Sequence, residues 1–470
     1  MNSIVWLRED LRLFDNPALH QAGIEGEVTP VYILPQGLGG ASYWWLHNSL
    51  KALENSFAEY GVKLILKTGD PVAVLIDLAT ELECEQVMWN RVYSPEGIRL
   101  GSELKQGLML KNIKSKSFNS QLLIEPTRIL NKQGKPFKVF TPFWKHCVSQ
   151  LRPSPMLPVP DFSQTSHSVE SDNIDAWELL PTSPDWSTGM AQRWQPGEAG
   201  AQTRWRTFID NRICNYKEGR DIPKDENTSM LSPHLAFGEM SPKQLWFETN
   251  EAVVTRAVDS DNGNKFLSEL GWREYSRYLL VHFPHIIDRP FNPKFASFPW
   301  QDRADFLQAW QQGQTGYPIV DAGMRELWAT GYMHNRVRMI VASFLTKHCL
   351  IHWKNGTDWF WDTLLDADIA NNTASWQWVA GSGADASPYF RIFNPILQGE
   401  KFDKDGTYIK QWVPELAQLD SKFINKPWAA DSMSLKRADV RLGENYPMPI
   451  VDHKDAREGA LNAYRLMKEN

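Results

Sequence analysis

Asp366-Ala367-Asp368-Ile369-Ala370-Asn371-Asn372-Thr373-Ala374-Ser375-Trp376-Gln377-Trp378 puts polar side chains in an apolar setting. Two carboxylates stand at i and i+2, Asn372 follows four residues after the second, and Trp376 four after that. Asp and Asn are poor helix-interior residues because their side chains compete for backbone bonds. The flanks, Trp359 to Leu365 and Trp376 to Ala380, are aromatic and aliphatic. Buried acids need partners, so the stretch is expected to hold something polar, planar and rich in hydrogen-bonding groups. A plainer reading is a helix start capped by Asp368 or Asn372. These residues alone leave both readings open.

Around this stretch the chain is helical in pattern. From about residue 201 apolar side chains recur at i, i+3 and i+4, as in Phe266, Leu270, Tyr275 and Leu279, and no alternating strand pattern competes. Residues 201–470 are therefore expected to form an all-helical domain. The first 150 residues read differently. Ile4 to Leu7, Val28 to Leu34, Val62 to Lys67 and Gln86 to Asn90 are short strand-like runs, and Tyr43 to Tyr60 and Pro71 to Glu83 are helical between them. That alternation predicts a parallel, Rossmann-like α/β domain over 1–150. Gly39-Gly40-Ala41-Ser42 reads as a helix start, with Ser42 as its cap or with free amides turned to an anion. Residues 151–200 are rich in Pro, Ser, Asp and Thr, with Pro153, Pro155, Pro158 and Pro160 close together, and read as a long linker.

At 470 residues the chain exceeds one ordinary core, which agrees with two domains. Hydrophobic content of 42% and charged content of 23% mark a soluble globular protein. The 21 tryptophans suggest stacking surfaces or redox-active rings in addition to core. A net charge of -6 offers no general attraction for nucleic acid, so a DNA surface would have to be a local basic patch. Cys84, Cys147, Cys214 and Cys349 show no paired spacing, which argues against structural zinc and for a reducing compartment. Without a basic start followed by an apolar run, or any apolar segment long enough to span, a cytoplasmic protein with no membrane span is expected.

Three further clusters carry chemistry. Asn227-Thr228-Ser229-Met230-Leu231-Ser232-Pro233 offers hydroxyls and helix N-terminal amides suited to a pyrophosphate, or an ordinary serine cap. In Glu269-Leu270-Gly271-Trp272-Arg273, Glu269 and Trp272 share a helical face, and Glu269 could pair with Arg273. In His334-Asn335-Arg336-Val337-Arg338-Met339, Asn335 and Met339 point the same way, and His334 alone reads as a structural histidine.

Together these motifs resemble the DNA photolyase and cryptochrome family. The chain is most similar to bacterial cyclobutane pyrimidine dimer (CPD) photolyases. The flavin signature is Asp366 to Trp378, followed by Tyr389-Phe390-Arg391-Ile392-Phe393-Asn394-Pro395. Trp6-Leu7-Arg8-Glu9-Asp10-Leu11-Arg12 resembles the family's opening, and Lys138-Val139-Phe140-Thr141-Pro142-Phe143 its close of the first domain. The resemblance implies FAD held by Tyr216, Thr228, Ser229, Met230, Leu231, Ser232, Trp272, Arg273, Arg338, Asp366, Ala367, Asp368 and Asn372. It implies Glu269, Asn335 and Asn372 as catalytic residues, with Asn372 opposite flavin N5, where plant-type cryptochromes carry Asp. Trp376, Trp353 and Trp300 would form an electron-transfer chain. Damaged DNA would meet Arg220, Glu269, Trp272, Asn335, Arg336, Met339, Trp378 and Gln398. Photolyases that repair (6-4) photoproducts have histidine at the positions of Asn335 and Met339. The resemblance also implies an antenna in the first domain, a folate such as 5,10-methenyltetrahydrofolate or a deazaflavin; the Trp89-Asn90-Arg91 and Glu96 region departs from the familiar folate pattern. The expected activity is light-driven CPD repair by a monomer, a deoxyribodipyrimidine photo-lyase acting on UV-damaged DNA. The alternatives are a cryptochrome-type photoreceptor and, with no motif in its favour, a flavoprotein without a light reaction or a nucleotide-binding α/β enzyme using only the first domain.

Overall fold

A computed structural model describes residues 1–152, 155–162, 169–386 and 390–469. Pro153 of the linker and Tyr389 of the flavin signature lie outside the described residues. The chain divides into two units, described in turn. The first holds residues 1–187, 191–214 and 229–284, and the second 188–190, 215–228 and 285–470.

The first unit is built on a five-stranded parallel sheet in the order β3-β2-β1-β4-β5. The strands are β1 (Asn2–Leu7), β2 (Glu27–Ile33), β3 (Ile65–Lys67), β4 (Gln86–Asn90) and β5 (Lys114–Phe118). Parallel neighbours need long crossovers, and helices α1 (Pro17–Glu25), α2 (Gly40–Ala58), α3 (Pro71–Glu81) and α4 (Pro95–Leu110) supply them. Three of these starts have the same chemistry. Asn16, Asp70 and Ser94 each accept a backbone N–H in the first turn, and each is followed by proline. At α2 the expected Ser42 cap is not formed. The helix begins at Gly40 from Gly39, which makes no side-chain cap, and Ser42 is buried inside the first turn. The strand over Val62 to Lys67 is shorter than expected, and β5 forms although Lys114-Ser115-Lys116-Ser117 carries no apolar signal.

Most of β1 and β4 is buried, as a central parallel pair requires. Past their C-terminal ends, Asp10 accepts from Asn90 (2.6 Å) and Asn16 (3.3 Å), and Arg8 donates to the Asn90 carbonyl (2.6 Å). Arg12, buried, donates to the carbonyls of Phe14, Asp15, Ser120 and Gly238 and to the Ser120 hydroxyl. Two described linker residues, Leu157 and Asp172, are bonded within the same unit. Asp15 exchanges two bonds with Leu157, and Asp172 donates to the Leu66 carbonyl. Helix α5 (Phe140–Gln150) and helices Glu198–Asn211, Pro242–Val254 and Ser260–His282 complete the unit.

The second unit is helical. Its core gathers Trp310, Trp353, Trp376, Phe344, Phe360, Tyr317 and Tyr408, all buried. Helix Pro318–Thr330 is followed by Asn335–Ser343, which runs into a π-helical turn over Phe344–His348. Helices Trp353–Thr363, Ile369–Ala380, Pro395–Phe402 and His453–Glu469 follow. Asp321 shows how buried acids are satisfied here: it accepts from Thr315 N and Oγ1, from Gly316 N and from the Tyr446 hydroxyl. No described helix is long and apolar enough to cross a membrane.

Candidate flavin and substrate site

Both readings of the Asp366–Trp378 stretch hold in part. Asp368 is the N-cap of helix Ile369–Ala380 and accepts from Asn371 N at 2.7 Å. Asp366 lies outside the helix and is clamped by Arg338, whose Nη1 and Nη2 reach its two oxygens at 3.0 and 2.9 Å. This two-pronged geometry is the strong form of an ion pair. Arg338 Nε is fixed on the Met333 carbonyl at 2.6 Å. Asn372 Nδ2 donates to Thr357 O at 3.0 Å, which spends one of its two N–H donors. Leu364, Leu365 and Ala370 are buried, Ala367, Asp368 and Asn372 between and beside them are half-buried, and at Asp366 the exposure lies in the main chain, its side chain being buried. An acidic, amide-bearing strip thus emerges from a closed core.

One turn beyond Asn372, Trp376 is buried edge-on to Phe360 and Trp310. Its Nε1 has no hydrogen-bond partner among the described residues. Gly356 makes room for it, since a Cβ there would stand 2.0 Å from the Trp376 ring. Three residues before Gly356, on the same helix, stands Trp353. Its ring meets His352 (5.2 Å), and His352 in turn meets Trp300 (5.2 Å). The three tryptophans named from sequence therefore lie in one unit and pack with one core.

His334 caps helix Asn335–Ser343 by accepting from Arg336 N at 3.2 Å, as a structural histidine. Burial, helped by Arg338, Arg336 and Arg220 and opposed by Asp221, lowers its pKa to about 4. Asn335 opens the helix, exposed, and Met339 follows one turn later, half-buried. Arg336 is engaged with Asp221 (2.9 Å) and lies over the Phe402 ring (4.4 Å). Arg220 lies over the ring of the buried Tyr216 (5.5 Å). Trp378 Nε1 donates to Asp385 O at 3.2 Å, and Gln398 sits half-buried on helix Pro395–Phe402. Thr228 is hydrogen-bonded to the Tyr332 hydroxyl.

The remaining named residues belong to the first unit. Met230 has φ +54° and is followed by Leu231 in a helical conformation (φ -95°, ψ -2°). Such a left-to-right succession turns consecutive N–H groups into a concavity that suits an anion. Ser232 is exposed at the start of helix Ser232–Ala236 and does not cap it; the cap position is Leu231, which makes no side-chain bond. Glu269 pairs with Lys265, one turn back, at 3.0 Å. Arg273 is buried, donates to Gln121 O at 2.7 Å and stands 3.5 Å from Glu274. Burial pushes the Glu274 carboxyl up to about 7. Trp272 is half-buried, and one of its faces is stacked on Phe140 at 3.8 Å with planes 10° apart.

Residues 266–466 match the FAD binding domain of DNA photolyase, and residues 3–161 match the DNA photolyase domain. The chain belongs to the DNA photolyase family. It is 50% identical to the deoxyribodipyrimidine photo-lyase of Agrobacterium fabrum over 99% of this chain and 98% of that one. It is 39% identical to cryptochrome-2 of Arabidopsis thaliana over 99% of this chain and 79% of that one. A crystal structure of a bacterial class III photolyase from Agrobacterium tumefaciens superimposes with TM-score 0.97 at 49% identity, covering 100% of this chain and 98% of that one. The α/β sheet and the helical FAD binding domain are those of this photolyase family.

Each unit, taken by itself, holds groups whose chemistry suits part of FAD. In the first unit the Met230–Leu231 concavity suits a diphosphate; in the second the strip from Asp366 to Asn372 suits a polar planar ring. Sequence reasoning missed Asp221, Gly356 and His352. Asp221 adjoins Arg220 but pairs with a residue more than a hundred positions away, and no local pattern reports such a partner.

Proposed function

We propose that this photolyase-family chain repairs cyclobutane pyrimidine dimers in DNA under blue or near-ultraviolet light, as a carbon-carbon lyase. The observation that carries the choice of lesion is the helical face formed by Asn335 and Met339. An amide and a thioether cannot pass a proton at neutral pH, whereas opening a cyclobutane ring needs only an electron lent and returned. FAD, when bound and reduced, supplies that light-driven electron. Tyr216, Thr228, Ser229, Met230, Leu231, Ser232, Trp272, Arg273, Arg338, Asp366, Ala367, Asp368 and Asn372 hold it. Glu269 and Asn335 hydrogen-bond the dimer, and Trp272 stacks on it with the face that Phe140 leaves uncovered. Trp376, Trp353 and Trp300 carry electrons inward to restore the reduced cofactor. Arg220, Arg336, Trp378 and Gln398, with Met339, contact DNA without reading its sequence. Extrusion of the dimer is cheap because a damaged pair already stacks badly.

The same proposal divides the chain into an α/β antenna domain over 1–150, a connection over 151–200 and a helical catalytic domain over 201–470. The antenna is a folate or a deazaflavin. The protein acts as a cytoplasmic monomer. The test is an illuminated reaction on oligonucleotides carrying one defined lesion, read by chromatography. Restoration of the CPD strand, and not of the (6-4) strand, is expected. Restoration of the (6-4) strand alone would overturn the lesion assignment. Light-driven flavin reduction with neither strand restored would favour a photoreceptor.

A further inference from the structure

We propose that His352 is a positioning residue for electron transfer, its imidazole bridging Trp353 and Trp300. The idea rests on the tryptophan chain proposed above and adds a residue to it. Among the described residues, the ring contacts of Trp300 are with Phe298 and His352, and the ring contact of Trp353 is with His352. The imidazole meets Trp300 edge-on (interplanar 69°) and lies closer to parallel with Trp353 (30°). Electron tunnelling falls off less steeply through π-electron density than through a gap, so a ring at this place strengthens the coupling.

Three bonds hold the arrangement. His352 caps helix Trp353–Thr363, with Nδ1 accepting from Lys354 N at 3.0 Å, which fixes the ring plane. Asn355 N donates to His352 O at 3.1 Å. Gln301 N donates to Leu350 O at 2.8 Å, which ties the segment carrying Trp300 to the segment carrying His352. The capping bond requires an unprotonated Nδ1, so the ring in this state is neutral with its proton on Nε2. Burial and the Lys354 ammonium keep its pKa below the usual 6.5, against the pull of Asp358. Lys354 and Asp358 are themselves paired on the same helix, and the other segment meets the imidazole with the Trp300 indole. A neutral bridge suits the step. One electron leaves Trp300 and fills the hole on Trp353; no bond forms or breaks, and the imidazole is neither oxidised nor reduced. A soluble thiol later refills Trp300. An imidazolium would set a positive charge between the two rings and oppose the hole.

Two substitutions separate the ring from the cap. His352→Asn removes the ring and keeps a good N-cap; His352→Phe keeps a ring and removes the capping nitrogen. In FAD-loaded protein, transient absorption after a flash should show the first tryptophan oxidation unchanged in both. The yield of the long-lived tryptophan radical should fall several-fold in His352→Asn and stay near wild type in His352→Phe. A yield in His352→Asn equal to wild type, or an equal loss in both variants with intact circular dichroism, would overturn the bridge. Trp300→Phe run in parallel keeps the two ideas apart: if it changes nothing, the tryptophan chain itself fails. If it abolishes the long-lived radical and His352→Asn does not, only the bridge fails. A second readout needs no flavin. Imidazolium quenches an adjacent indole, so tryptophan fluorescence of the FAD-free protein should fall as pH drops through a midpoint below 6.5. That part of the titration should vanish in His352→Asn; an identical curve would overturn the ring contacts.

Discussion

Arg338→Met isolates the energetics of the clamp. The Asp366 side chain is 5% exposed and the Arg338 side chain 23%. Methionine fills much of the same volume but leaves a carboxylate out of water with neither of its two arginine N–H donors. Breaking a buried pair from one side costs about 3–5 kcal/mol. The second unit has about 200 residues, and in a domain of that size each kcal/mol moves Tm by about 2–4 °C. A fall of roughly 6–20 °C is therefore expected. Scanning calorimetry with and without added FAD separates the clamp from ligand stabilisation, because only the clamp acts when FAD is absent. Arg338→Met combined with Asp366→Leu should recover most of the loss, since the penalty lies in the orphaned charge. A single variant melting within about 2 °C of wild type would refute the claim that the pair is desolvated. A double variant as unstable as the single would show that the carboxylate is not the source.

His334 should make stability pH-dependent. Its folded pKa of about 4 lies below the ordinary 6.5, so as pH falls between these values the unfolded chain takes up a proton that the native state refuses. Stability then drops by up to about 1.4 kcal/mol per pH unit, and His334→Asn, which keeps a cap, should flatten that slope in urea titrations. Trp376→Phe should slow photoreduction of oxidised FAD while leaving repair intact when the cofactor is chemically reduced beforehand, checked by absorbance under illumination and by strand analysis. Arg336→Ala should flatten the log–log salt dependence of DNA binding by about 0.7–0.9. Asp221→Asn should tighten binding by releasing the guanidinium; fluorescence anisotropy at several salt concentrations reads both.

The sheet was legible because β1, β2 and β4 are buried on both faces and so read as unbroken apolar runs, with caps and prolines marking the helices between them. Lys114–Phe118 was illegible because its side chains face partly outward and only pairing with β4 makes it a strand. At the site, the Asp368 cap was readable from local chemistry. The grip of Arg338 on Asp366 was not: the two are 28 residues apart, on separate elements, and no helical or strand period links them. The same holds for Arg336 and Asp221. Gly356 gives no sequence signal either, because its role is to be absent where the Trp376 ring stands.

The Arg12 guanidinium sets a schedule for synthesis. Four of its acceptors come from Phe14, Asp15 and Ser120, but the last is Gly238 O, made 226 residues later. At about 5–20 residues per second, the emerging chain holds an incomplete arginine nest for roughly 10–45 s. During that interval the five strands are all translated, yet a charged group at their edge still lacks an acceptor. A ribosome that stalls before codon 238 would leave a nascent lobe that looks finished by strand count but whose arginine nest is still one acceptor short.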